Sequence, residues 1–331
     1  MMRVAVLDDY QKVAEGLADW SSVKRQASVD FFHEHLGDDD DVVAKLADYD
    51  IVVAVRERTR FPKSVLERLP RLKLISNTGH YMAHIDLVYA HERGITVCET
   101  TRRPGPTGAV AELAWAHIFA LARNLIAENA SVRAGGWQAG VGMQLGGRRL
   151  GVLGLGRSGE AVARIGLALE MDVVAWSQNL TEARCAEVGV TYVDKDTLFR
   201  TSDFITVQLV LSRRTRGLIG ARELGLMKKT AYLINTARGP IVDEAALLDA
   251  LHAGTIAGAG LDVFDQEPLP ANHPLRQAPR TVLTPHIGYV SDVSYETFYA
   301  QAVENICAFL DGKPIRELNP DNTSKDGVSR S

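Results

Sequence analysis

The chain has 331 residues, 46% of them hydrophobic and 24% charged, with a formal net charge of −4. That length exceeds what one hydrophobic core usually serves and implies two domains, while the mild negative charge gives no electrostatic footing for nucleic acid or an anionic membrane. The three cysteines, Cys98, Cys185 and Cys307, are far apart and form no CxxC pair, which argues against a structural zinc site or a disulfide framework and suits a reducing cytoplasm.

The opening MMRVAVLDDY is too short and too acidic to read as a signal peptide. No apolar run approaches the roughly 20 residues that a bilayer span needs. From there, short apolar runs alternate with helical patterns. RVAVL (3–7), DIVVAV (50–55), LKLIS (72–76) and ITVC (95–98) read as buried strands. SVLERLP and IDLVYAHERG between them read as helices, the second stopped at Gly94. This βαβ order predicts a parallel sheet. An alanine-rich amphipathic segment follows over 109–135, long enough to link two domains or to lie against a partner subunit.

A second alternating series then begins. Its strand candidates are LGVLGLG (150–156), DVVAW (172–176), VTYV (190–193), FITVQLV (204–210), AYLIN (231–235), AGAGLDVF (257–264) and TVLTP (281–285). A final helix over about 292–311 is expected to run back to the first domain. The last stretch, NPDNTSKDGVSRS, lacks apolar periodicity and reads as a loose tail. The expected fold is α/β: two Rossmann-like or flavodoxin-like domains with parallel sheets. One comprises 1–100 and 290–331, the other 101–289, including an arm at about 109–145.

GLGRSG places Gly154, Gly156 and Gly159 in the G-x-G-x-x-G spacing, after a strand and at the start of a helix. The first glycine permits the tight turn, the second admits a pyrophosphate, and the third lets helix and strand pack closely. The helix start, with Arg157 and Ser158, aims free N–H groups and the positive dipole end at phosphate. A tight turn with no ligand is the alternative reading. Seventeen residues (160–176) separate Gly159 from Ser177, where a ribose-binding Asp or Glu is expected. A serine can bond a ribose hydroxyl without repelling a 2′-phosphate, so both NAD and NADP stay open, with NAD slightly favoured. Arg184, Arg213 and Arg214 are candidates for the adenosine end, or else solvated charges.

Three successive strands each deliver a reactive residue just past their carboxyl ends, where doubly wound sheets bind ligands. These are Arg238 in NTARGP, Glu267 in DQEP and His286 in PHIG. A guanidinium can hold a carboxylate bidentately. An imidazole can move a proton at a hydroxyl or carbonyl oxygen, and a carboxylate can fix its tautomer.

VLGLGRSG, NTARGPIVDEAAL, AGLDVFDQEP and LTPHIGYV, in this order, resemble the D-isomer-specific 2-hydroxyacid dehydrogenases over about residues 1 to 312. The resemblance implies a split substrate domain and a Rossmann domain, with the active site in the cleft and a dimerisation arm after residue 108. It assigns Arg238 to the substrate carboxylate, Glu267 to support of the histidine and His286 to acid/base work. Backbone N–H groups of Thr78 and Gly79 would face the substrate, and Asp262 the nicotinamide carboxamide. Thr236, Ala237 and Gly288 join Gly154, Gly156, Arg157, Ser158 and Ser177 as candidate cofactor contacts, and no metal is implied.

The chain departs from the family pattern at several points. Gln208 and Val210 stand where the family usually has His and Pro. His80, after the loop glycine, is a candidate substrate contact or an ordinary loop histidine. Phosphite-oxidising relatives carry lysine where this chain has Thr78. Formate-specific relatives carry a glutamine before the histidine, unlike Pro285-His286. A regulatory domain of the kind some phosphoglycerate dehydrogenases carry is not expected. Arg56 and Arg58 read as surface charges at a strand end, with a cationic lobe for acidic substrates as the alternative.

The expected function is a cytoplasmic, homodimeric, NAD(P)-dependent oxidoreductase that interconverts a D-2-hydroxy acid and a 2-oxo acid, as glyoxylate or hydroxypyruvate reductases do. The alternative is a dinucleotide-sensing, protein-binding module of corepressor type that binds NADH without turnover.

Overall fold

The computed structural model describes residues 1–79, 82–101 and 108–319. His80 and nearly all of the C-terminal stretch read as a loose tail lie outside these residues. The chain divides into two compact units, Met1–Gly105 with Ser291–Ser331, and Pro106–Val290. No single helix among the described residues is long and apolar enough to cross a membrane.

The first unit is built on five parallel strands: β1 (Met2–Val6), β2 (Ala27–Phe31), β3 (Ile51–Ala54), β4 (Leu74–Asn77) and β5 (Thr96–Glu99). Their order is β2-β1-β3-β4-β5, the flavodoxin-like arrangement. β3 and β4 are buried along their whole length; β3 does so with an unbroken apolar run, whereas β4 also buries the polar Ser76 and Asn77. The sequence pattern missed β2. Its ASVDF alternates no clean apolar face, lies at the sheet edge and buries only Ala27. The acidic run near residue 40 is a helix start: Asp38 caps helix Asp39–Leu46, accepting from the N–H groups of Asp40 and Asp41. The three aspartates of the first turn complement the helix dipole. The final helix, Asp292–Leu310, is capped by Ser291 and packs in this unit against β4, burying Phe298, Tyr299 and Ile306.

The surface-charge reading of Arg56 and Arg58 is corrected. The Arg56 side chain is only 14% exposed and packs on Gly79, where a Cβ would lie 2.3 Å from its Nη1. Arg58 donates to the Asp8 carbonyl at 2.8 Å and stacks over the Tyr10 ring. Both stems fold back onto apolar and backbone surface instead of extending into water.

The second unit carries seven parallel strands: β6 (Arg149–Leu153), β7 (Asp172–Trp176), β8 (Thr191–Tyr192), β9 (Phe204–Val207), β10 (Tyr232–Asn235), β11 (Gly258–Leu261) and β12 (Thr281–Leu283). Their order is β12-β11-β10-β9-β6-β7-β8. The chain winds outward from β6 to β8, then returns to the other side of β6 at β9, which creates a topological switch point beside the end of β6. Helices cover both faces, with one core around Phe199, Ile205 and Leu233 and the other around Trp115, Val152 and Phe204.

The alanine-rich segment forms two helices. Ala109–Ala122 buries Ala111, Ala114, Trp115, Ile118 and Leu121 at helical spacing. Leu125–Arg133 buries nothing and bends away by 61°. The break is Asn124, in the left-handed region at φ 52°, where asparagine is among the few side chains tolerated.

Candidate active site

The phosphate cradle forms where β6 ends. Gly154 has φ +97°, and a Cβ there would lie 2.7 Å from the Gln208 carbonyl oxygen. Gly159 admits no side chain, since its Cβ would fall 1.9 Å from the Gly154 oxygen. Gly156 differs: it caps helix Arg157–Ala168 and faces open space. Two glycines are thus required by the protein itself, while the third keeps a clear approach to a helix N-terminus. That combination fits a pyrophosphate.

Ser177 follows β7, half-buried. Arg184, a candidate for the same end of the coenzyme, is engaged by two carboxylates. Its guanidinium pairs with Glu160 and, at 2.9 Å, with Glu187. The Arg164 hydrogen bond, then that of Arg184, lowers the Glu160 carboxyl below its usual range. Glu160, unnoticed in the sequence, therefore pairs with one of the arginines considered for the adenosine end. Arg213 and Arg214 are exposed. On the opposite wall, Gln208 donates its amide to Thr206 (3.0 Å) and Thr236 (3.1 Å).

β10, β11 and β12 are adjacent, with Asn235 beside Leu261 and Leu261 beside Leu283. Their loops bring Arg238, Asp262, Glu267 and His286 to one edge of the sheet. Asn235 shapes the first loop, accepting from the Ala237 N–H and donating to the Arg238 carbonyl. Arg238 Nη1 donates to the Ala237 carbonyl at 2.6 Å. Glu267 accepts the Phe264 N–H at 2.9 Å on Oε1 and meets His286 Nδ1 at 2.5 Å on Oε2. His286 has φ 53°, a strained conformation for this residue. The strain is held by Asp262, whose carbonyl accepts the His286 N–H at 2.8 Å.

Asp262 is fully buried. Its carboxylate accepts from the Thr284 hydroxyl (2.6 Å), the Ile287 N–H (2.8 Å) and the Gly288 N–H (2.9 Å). Burial raises this carboxyl above its usual range, against the Thr284 and Ile287 hydrogen bonds and the His286 charge. A further partner, His117, escaped the sequence reading because it lies 167 positions from Thr284, whose oxygen it meets at 2.9 Å. No cluster of three or more His, Cys, Asp or Glu among the described residues is arranged to hold a metal.

In the first unit, Thr78 and Gly79 lie past the end of β4. The Thr78 N–H donates to the Ala54 carbonyl at 2.9 Å, and the Gly79 N–H donates to Thr100 Oγ1 at 2.7 Å. Contact of the Gly79 N–H with a substrate would have to displace Thr100.

Residues 115–288 match the family model for the NAD-binding domain of D-isomer-specific 2-hydroxyacid dehydrogenases. A glyoxylate reductase of Thermococcus litoralis is 38% identical over 279 residues, 81% of this chain and 82% of that one. One from Aeropyrum pernix is 40% identical over 264 residues, 77% and 78% of the two chains. The crystal structure of a phosphoglycerate oxidoreductase from Vibrio cholerae superposes with a TM-score of 0.87 at 35% identity, covering 94% of this chain and all of that one. These similarities lend nothing to the dinucleotide-sensing alternative. The chain belongs to the D-isomer-specific 2-hydroxyacid dehydrogenase family and is an NAD(P)-dependent oxidoreductase that interconverts a D-2-hydroxy acid and a 2-oxo acid.

Proposed function

We propose that the enzyme reduces a small 2-oxo acid of the glyoxylate type, with His286 as acid, Glu267 as its partner and Arg238 as the carboxylate anchor. The observation that carries this reading is the 2.5 Å contact between His286 Nδ1 and Glu267 Oε2, which commits one ring nitrogen to the carboxylate. Nε2 is then the atom that gives its proton to the carbonyl oxygen as the hydroxyl forms. In the oxidising direction the same atom takes that proton back. The Arg238 guanidinium holds the substrate carboxylate and so fixes which carbon reacts. When bound, the nicotinamide donates or accepts the hydride. Asp262, Thr236, Ala237 and Gly288 would lie on the side of its carboxamide. Gly154, Gly156, Arg157, Ser158 and Ser177 would hold the coenzyme's pyrophosphate and ribose.

The substrate assignment follows the glyoxylate reductases that this chain resembles over most of both lengths. The test is steady-state reduction of glyoxylate, hydroxypyruvate and pyruvate, each with NADH and NADPH. Preferred turnover of glyoxylate or hydroxypyruvate supports the assignment. Turnover confined to larger oxo acids would reject it while leaving the reaction class intact.

The protein is also proposed to be a cytoplasmic homodimer. Helix Leu125–Arg133 and the loop after it present Leu125, Ile126, Val132, Trp137 and Val141 to solvent, the last two 75% and 98% exposed. A patch of this kind is characteristic of a protein interface. Sedimentation equilibrium that gives a monomer at micromolar concentration would reject the dimer.

A further inference from the structure

Helix Ala109–Ala122 buries an apolar stripe with one polar exception, His117, which is 1% exposed. The ring fills the space above Gly260, where a Cβ would lie 2.6 Å from His117 Nδ1. Nδ1 has no hydrogen-bond partner among the described residues. A leucine would fill this space without leaving a buried polar atom unsatisfied, so the ring is a costly choice for packing alone. What histidine adds is Nε2, 2.9 Å from Thr284 Oγ1.

The chain of contacts fixes the protons. Thr284 Oγ1 lies 2.6 Å from Asp262 Oδ1. A carboxylate only accepts, so the Thr284 hydroxyl donates to Asp262 and its oxygen is left to accept. His117 must then carry its proton on Nε2 and leave Nδ1 bare. With the hydroxyl pinned, Asp262 holds one rotamer. In that rotamer its two oxygens take the N–H groups of Ile287 and Gly288, and its carbonyl takes that of His286. The turn so held is the one that keeps His286 at its left-handed φ of 53°.

We propose that His117 is a positioning residue for the acid/base histidine: its Nε2–H orients the Thr284 hydroxyl onto Asp262, which clamps the 286–288 turn and aims the His286 ring. This rests on the reading of His286 as the proton donor. It makes a residue on a helix, far from the motif loops, part of the apparatus that sets the catalytic geometry. A glutamine can place an amide N–H where Nε2 stands, whereas a leucine fills the volume without the donor.

Two measurements test it. In the coenzyme-free protein, the ring ¹⁵N shifts of His117, assigned by their loss in His117→Gln, should report a neutral Nε2–H tautomer. An Nδ1–H tautomer would mean that the proton runs the other way, from a protonated Asp262 through Thr284, and would overturn the proposal. In the holoenzyme, His117→Leu should lower kcat roughly tenfold, the worth of about one hydrogen bond. His117→Gln should restore most of that loss. Thr284→Val should match His117→Leu, and the double variant should be no worse than either, because both break one relay. Additive losses, or full kcat in His117→Leu, would overturn the relay. His286→Asn separates the two readings. If it is crippled while His117→Leu is not, only the relay fails. If His286→Asn keeps full turnover, the acid assignment itself has failed.

Discussion

His286 Nδ1 lies 2.5 Å from Glu267 Oε2, and the other oxygen of the same carboxylate is tied to the Phe264 N–H. The glutamate is thereby held at both oxygens, and it orients the ring. Glu267→Gln keeps the volume and the Phe264 contact but removes the charge. A hydrogen bond to a charged group is worth about 1.5–3 kcal/mol, so kcat for oxo-acid reduction should fall by roughly one to two orders of magnitude. Stopped-flow single turnover checks this; an unchanged chemical step would show that the pair is merely structural.

Loss of the ring should cost more. His286→Ala is expected to reduce kcat by about 10²–10⁴, the usual share of a positioned acid. NADH affinity, read by fluorescence titration, should hold within a few-fold, because the cradle lies at the ends of other strands.

Arg238→Lys keeps the charge and loses the planar fork. Where a carboxylate is gripped bidentately, lysine is a poor substitute. The KM for the oxo acid should rise about tenfold or more, by loss of a charge-assisted pair. An unaltered KM would place the substrate carboxylate elsewhere.

The glycines of the cradle should separate stability from binding. Gly159→Ala puts a methyl 1.9 Å from the Gly154 oxygen and should destabilise the fold by about 1–3 kcal/mol, as overpacking does. Gly156→Ala meets nothing within 4 Å, so its melting temperature should match the parent while coenzyme affinity falls. Equal loss of stability in both variants would contradict the geometry.

His117 gives stability a pH dependence of known sign. Burial pushes its imidazole down to about 4 from an ordinary 6.5. In the unfolded chain the ring takes up a proton below about 6.5, but the folded protein resists until about 4. The unfolded state therefore binds more protons across that window, and stability falls as pH drops through it. The shift corresponds to about 3 kcal/mol, since each unit is worth about 1.4 kcal/mol. Denaturant melts at pH 7.5 and 4.5 should show a smaller loss for His117→Leu than for the parent. Identical losses would place the ring in water.

The strands of both sheets were legible because parallel strands buried on both faces write themselves as short apolar runs. The edge strand β2 was not, since half of it faces out and Ser28 and Asp30 interrupt the pattern. The break within the amphipathic segment over 109–135 was not legible either, because Asn124 enters a left-handed turn and sequence periodicity does not register one residue's φ.

The glycine spacing, the order of Arg238, Glu267 and His286, and their places after successive strands were determined by the sequence alone. Each is a local signal, set by what a turn or a strand end permits. Tertiary structure decided which charges are occupied and which protons are held. Glu160 takes Arg184, Asp262 anchors the turn of His286, and His117 reaches Thr284 from another element. These pairings join residues brought together only by the winding of the sheet, and hydrogen bonds across such separations leave no period in the chain.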